Sequence, residues 1–195
     1  MKIPQPPSTF RKYVAEEIRI LRSLPIDYIE NAFNVIQEAA MFDRHIFLVG
    51  NGGSAANASH FAMELSKNAA RQYPRIRVSS LNDNVALMTA IANDASFEDI
   101  FAHPLRSLAH AGDILIALST SGKSKNILKA VEWANQHKLC TISVTGNQLN
   151  DLSQMAKIPI VIQTNNSSHI ENMQQTICHM MIDMFDTRRL YGVMG

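Results

Sequence analysis

Five short runs rich in β-branched residues, each followed by a stretch with helical periodicity, constrain this chain more than any other feature. The runs are His45–Val49, Ile76–Ser80, Asp113–Leu118, Thr141–Thr145 and Ile158–Gln163. Strands this apolar are buried on both faces, which in a soluble protein means a parallel sheet with helices above and below it. Helical spacing predicts Ser54–Ala70, Asn84–Asn93, Phe97–Ala109, Ser124–Gln136, Leu149–Ala156 and a long Ser167–Leu190. Two more helices, Ser8–Ser23 and Ile26–Phe42, precede the first strand and are parted by Leu24-Pro25. The expected fold class is α/β: three layers, a five-stranded parallel sheet flanked by helices, with two N-terminal helices and a long C-terminal one.

The chain has 195 residues, enough for one substantial core, so a single domain over 1–195 is expected, with Pro4, Pro6 and Pro7 making residues 1–7 a loose lead-in. Eighteen Lys+Arg against seventeen Asp+Glu leave a net charge of +1, which argues against bulk attraction to nucleic acid or an anionic membrane. The first residues, Met1 to Lys12, lack the apolar core of a signal peptide, and no apolar run reaches the ~18–20 residues that span a bilayer. Cys140 and Cys178 are far apart and lie in apolar runs, as buried thiols of a reducing compartment do. The expected location is the cytoplasm.

In an open parallel sheet ligands bind off the carboxyl ends of the strands. Two of the loops there are unusual: Gly50-Asn51-Gly52-Gly53-Ser54-Ala55-Ala56 after the first run, and Ser119-Thr120-Ser121-Gly122-Lys123-Ser124 after the third. Each leads directly into a helix, where free backbone N–H groups and the positive end of the helix dipole favour an anion. Ser119, Thr120, Ser121 and Ser124 add hydroxyl donors without full charge, which suits a metabolite phosphate that must be released again. Helix capping accounts for Ser124 alone but not for three hydroxyl residues in succession before the glycine. The Gly122-Lys123-Ser124 ending resembles a Walker A loop, yet Ala117 stands where its first glycine belongs. Gly50-x-Gly52-x-x-Ala55 fits a permissive dinucleotide fingerprint, but the nearest acidic partner, Asp83, lies about thirty residues on rather than ~20.

His60 and Glu64 stand four apart on a predicted helix, so both project from one face, as a metal or proton relay requires and as a solvated ion pair also does. The final helix offers His169, Glu171 and His179, and the eight-residue step from Glu171 to His179 returns to within roughly 80° of the same face. Apolar neighbours leave a buried structural histidine as the other reading of His179. His45, His103, His110 and His137 show no pairing pattern and are read as surface or structural.

The runs GNGGSAANASHFAMEL, TAIANDASFEDIF, GDILIALSTSGKSKNILKA and ISVTG, in that order and ahead of the His-containing helix, resemble the sugar isomerase (SIS) fold. Within it they are most similar to the phosphoheptose isomerase group. That resemblance implies an aldose–ketose isomerase acting on a phosphorylated sugar, most simply sedoheptulose 7-phosphate to a heptose 7-phosphate, and assembly as a homotetramer. It implies that Ser119, Thr120, Ser121 and Ser124 hold the phosphate and that Asn51, Gly52, Gly53, Ser54 and Asp94 line the sugar site. The group's metal, usually zinc, maps to His60, Glu64, Glu171 and His179, with Glu64 as candidate base and His179 as candidate acid. Glu171 stands where the group has Gln, and Ser168-His169 where an acidic or small residue and an arginine are usual; a second carboxylate makes the site more anionic and bears on the substrate, so Glu171 is also a candidate sugar contact. SIS proteins that associate with the bacterial replication initiator share the Ala55–Ala58 stretch but usually lack the C-terminal histidine. A non-catalytic phosphosugar-binding protein that docks such a partner is therefore the alternative.

Overall fold

The computed structural model describes residues 9–69, 75–146 and 150–190, so the expected lead-in over residues 1–7 lies outside the described residues. Helices α1 (Thr9–Arg22) and α2 (Ile26–Met41) come first. They are followed by β1 (His45–Gly50), α3 (Gly53–Ala69), β2 (Arg77–Ser80), α4 (Val85–Asp94), a 3-10 turn (Phe97–Asp99), α5 (Ala102–Leu108) and β3 (Ile114–Ser119). The chain continues through α6 (Lys125–Gln136), β4 (Cys140–Gly146), α7 (Asp151–Met155), β5 (Ile158–Ile162) and α8 (Ser167–Leu190). The strands form one sheet in the order β2-β1-β3-β4-β5, and every pairing is parallel, as the alternating pattern predicts.

Because side chains alternate across a strand, each strand feeds two cores. Ile46, Leu48, Ile114, Ile116 and Leu118 face a core shared with α1, α2, α3 and α8, while Phe47, Val49, Leu115 and Ala117 face α4 to α7. Ile170, Met173, Ile177 and Met181 of α8 are buried in the first of these. Among the described residues no helix is long and apolar enough to cross a membrane.

Two boundaries differ from expectation for physical reasons. Asp113 does not open β3; its buried carboxylate accepts the backbone N–H groups of His45 (2.8 Å) and His110 (2.7 Å) and so pins the starts of β1 and β3 together. The single helix expected over Phe97–Ala109 is instead a 3-10 turn followed by a short α5. Pro104 explains the break: proline lacks an N–H and clashes with the preceding turn, so the helix must begin just before it.

The order of the sheet reverses between β1 and β3, where Gly50 pairs with Leu118. The glycine loop and the serine loop both leave the sheet there, side by side, at the switch point where open α/β sheets place ligands.

Candidate active site

Both loops at the switch point are fastened from below by amide side chains. The Asn82 amide donates to Gly50 O (2.8 Å) and accepts from Gly50 N (3.1 Å), fixing the end of β1. Gly50 packs so closely on the Ser54 carbonyl that no side chain fits there, which lets the chain turn straight into α3. Gly52 then takes φ 55° before the helix begins at Gly53.

In the serine loop, buried Ser119 Oγ accepts from Gly122 N at 3.0 Å and Ser121 Oγ accepts from Lys123 N at 3.3 Å. Gly122 has φ 63° and lies against the Asn150 amide, which donates to Thr145 Oγ1 and Gly146 O and accepts from Ser153 N. A buried amide thus holds the loop down from the side of α7. Ser124 occupies the N-cap of α6, yet its hydroxyl makes no cap hydrogen bond. Capping does not consume it, and it stays beside Ser119–Ser121 at the positive end of α6.

Asn51 and Asn126 join the two loops. Asn51 Nδ2 donates to Asn126 Oδ1 and Asn126 Nδ2 donates back to Asn51 Oδ1, both at 2.9 Å. Asp94 ends α4, exposed, with its carboxylate accepting from Asn93 Nδ2 at 2.8 Å.

Helices α3 and α8 run side by side in the same direction, because their contacts advance together. The Glu171 carboxylate packs on the bare face of Gly53; Gln174 Oε1 accepts from Ser54 Oγ (3.0 Å) and Asn57 Nδ2 (3.1 Å); His60 Nε2 and His179 Nε2 face each other at 3.1 Å. A proton on that axis can sit on either ring while the other accepts it. Gln175 Nε2 also faces His179 Nε2, at 3.0 Å. One turn beyond His60, Glu64 accepts from Lys67 Nζ at 2.8 Å. That ammonium, and more weakly His60 and His179, hold the Glu64 carboxyl below the usual carboxylate range. Burial pushes the neighbouring Cys178 thiol up to about 12.

The four implied metal donors divide into two groups. Two ring nitrogens 3.1 Å apart suit two ligands of one ion at ~2.0–2.1 Å each. Glu64 lies on the same face of α3. Glu171 instead meets α3 at Gly53, seven residues and about 10 Å along the axis from His60. Among the described residues, no group of three or more His, Cys, Asp or Glu side chains is arranged to hold a metal ion.

Asn82, Asn126, Asn150, Gln174 and Gln175 carry much of this architecture and were not singled out in the sequence. Gln174 and Gln175 do carry a faint signal, since they lie between Glu171 and His179 on the same helix. A cavity of about 610 Å³ opens beside β2 between α3, α4 and α5, and no sequence-derived site residue lines it. Asp83 lines it and accepts from Ser59 Oγ at 2.5 Å.

A model of the SIS domain matches residues 9–146. The chain belongs to the SIS domain family. This SIS domain is 32% identical over 178 residues to a probable phosphoheptose isomerase of Thermoplasma acidophilum, covering 91% of this chain and 98% of that one. It is 33% identical over 180 residues to the DnaA initiator-associating protein DiaA of Klebsiella pneumoniae, covering 91% of each. Among solved structures, the phosphoheptose isomerase GmhA of Neisseria gonorrhoeae superposes on this SIS domain with a TM-score of 0.84 at 29% identity, covering 91% of this chain and 97% of that one. A phosphoheptose isomerase of Francisella tularensis gives 0.83 at 29% identity, with 91% and 94% covered.

Proposed function

We propose that this SIS domain is a phosphosugar isomerase that converts sedoheptulose 7-phosphate to a heptose 7-phosphate. The observation that carries the reading is the meeting of His60 on α3 with His179 on α8, one turn from Glu64, on a helix α3 whose leading loop is joined through Asn51 and Asn126 to the helix that follows the hydroxyl-rich loop at the sheet's switch point. Phosphoheptose isomerases among its relatives support the same substrate.

In this reading Ser119, Thr120, Ser121 and Ser124 with the N-terminus of α6 take the phosphate, and Asn51, Gly52, Gly53, Ser54, Asp94 and Glu171 line the sugar. Glu64, kept ionised by Lys67, removes a proton from the carbon beside the carbonyl and gives an enediolate. His179 supplies a proton to the neighbouring oxygen or carbon and assists ring opening; His60 shares the proton on the ring-to-ring axis. The zinc that the family resemblance implies takes no part in these steps: His60 and His179 bring two ring nitrogens together, and among the described residues no third His, Cys, Asp or Glu joins them in an arrangement that holds an ion. Glu171, packed at Gly53, belongs to the sugar end of the site.

The working form in this proposal is a cytoplasmic homotetramer. Incubation with sedoheptulose 7-phosphate, read as formation of an aldose, tests the activity. His179→Ala is expected to lower kcat by about 10²–10⁴ while sugar-phosphate binding persists; unchanged turnover would remove His179 from the acid role.

The similarity to DiaA favours a second reading, a phosphosugar-binding protein that docks a replication initiator without turnover. A rise in melting temperature with the sugar phosphate but no aldose product would select it.

A further inference from the structure

Asn126 is 2% exposed, and its amide makes three hydrogen bonds: two with Asn51 and one from Ile127 N at 3.0 Å. Its partner follows β1 directly and precedes the start of α3 by two residues. Asn126 itself lies in the first turn of α6, two residues after Ser124. The pair therefore ties the N-terminus of the helix that carries His60 and Glu64 to the N-terminus of the helix that follows the serine loop, across the reversal in sheet order.

We propose that Asn126 is a positioning residue that, through Asn51, sets the distance between the phosphate loop and the reacting end of the site and so selects the length of the sugar phosphate. This rests on the phosphosugar reading above. A ligand gripped at its phosphate presents its carbonyl to Glu64 only if the span between the two ends matches its own length, and misplacement by about 1 Å costs on the order of 10²-fold in rate. A reciprocal amide pair suits such a role because it is short and directional, and loss of either member strands a polar group on the other.

Asn126→Ala is the first test. Its kcat/KM for sedoheptulose 7-phosphate is expected to fall about tenfold or more. The Kd for inorganic phosphate, which touches only the serine loop, should stay within about twofold, and preference over a ketopentose 5-phosphate two carbons shorter should decline. Because Asn126 acts through Asn51, adding the change to Asn51→Ala should cost less than about twofold more. A full multiplicative loss on Asn51→Ala, an equal loss of phosphate affinity, or an unaltered length preference would each overturn the proposal.

If Asn126→Ala does not melt cooperatively, Asn126→Ser decides by the same readings. It removes both bonds with Asn51 while keeping a small polar side chain and adding no charge beside the phosphate loop. Should the unaltered protein turn over no heptulose phosphate, the isomerase reading fails by itself. Asn126 is then judged by binding: weaker affinity for the seven-carbon phosphate at constant phosphate affinity upholds the role, and parallel loss of both refutes it.

Discussion

Lys67 donates to Glu64 across 2.8 Å, and that contact decides which form of the carboxylate meets the substrate. The depressed pKa keeps Glu64 ionised through neutral pH and below the usual carboxylate range, so an activity that needs the carboxylate as base should be lost only as the pH falls through that depressed value. Lys67→Met removes the first cause of the shift, so the acid limb of the kcat/KM profile should move to higher pH while the rate at pH 8 stays near that of the unaltered enzyme. An unmoved limb would mean that Glu64 is not the titrating base. The same linkage gives the sign for stability: the Lys67 contact strengthens the fold above the usual carboxylate range and ceases to do so as Glu64 protonates. At this scale the sequence was legible where spacing carries chemistry, since the four-residue step from His60 to Glu64 holds in any helix. Asn126 was not legible, because an amide side chain bonds whatever the topology brings near it, and its partner Asn51 lies 75 residues away.

The pairing of α3 with α8 turns separate residues into one site. Gln174 is 3% exposed and accepts from Ser54 and Asn57 of α3, while its own Nε2 reaches Val144 O of β4 at 3.4 Å. It clamps the first turn of α3 to α8 two turns away from the facing histidines. Gln174→Leu should therefore cost about 1–3 kcal/mol in urea unfolding, because the Ser54 hydroxyl is stranded in the core. It should also lower kcat more than phosphate affinity. A variant as stable as the parent would show that the clamp is dispensable. In the serine loop Gly122→Ala meets both the left-handed backbone and the Asn150 amide, so a loss of about 1 kcal/mol or more and weaker phosphate binding are expected. Calorimetric titration with phosphate beside thermal melts checks both. The elements themselves were legible from periodicity wherever a run was long. The exception, the break between Phe97 and Ala102, was written in Pro104, whose constraint acts on backbone geometry and leaves the apolar pattern intact.

At the scale of the molecule, α1 is docked the opposite way from an ordinary surface helix. It holds α8 largely through polar groups: Glu17 pairs with buried His169, the Tyr13 ring lies against the His169 ring, tilted by 31° with centroids 4.1 Å apart, and Asn172 donates to the Tyr13 hydroxyl at 2.8 Å. Arg19 adds a bond to Gln163 O at 3.1 Å. Ile20 is the one residue of α1 described as buried, while Phe10, Val14, Ile18 and Leu21 form a helical stripe with 85%, 56%, 45% and 46% of their surface exposed. Covering what remains of four such side chains is worth about 3–6 kcal/mol per protomer. A second copy of the chain supplies that cover in the proposed homotetramer, and α1 would then be fixed by polar pairing inward and apolar burial outward. Ile18→Glu sets a charge in the middle of the stripe without touching the Glu17–His169 pair or the residues of the candidate site. Sedimentation should then show a smaller species than the parent at the same concentration, with a lower melting temperature and a loss of turnover that higher protein concentration partly restores. An unchanged assembly would place the stripe outside any subunit contact and leave the orientation of α1 to be explained by its polar pairing with α8 alone.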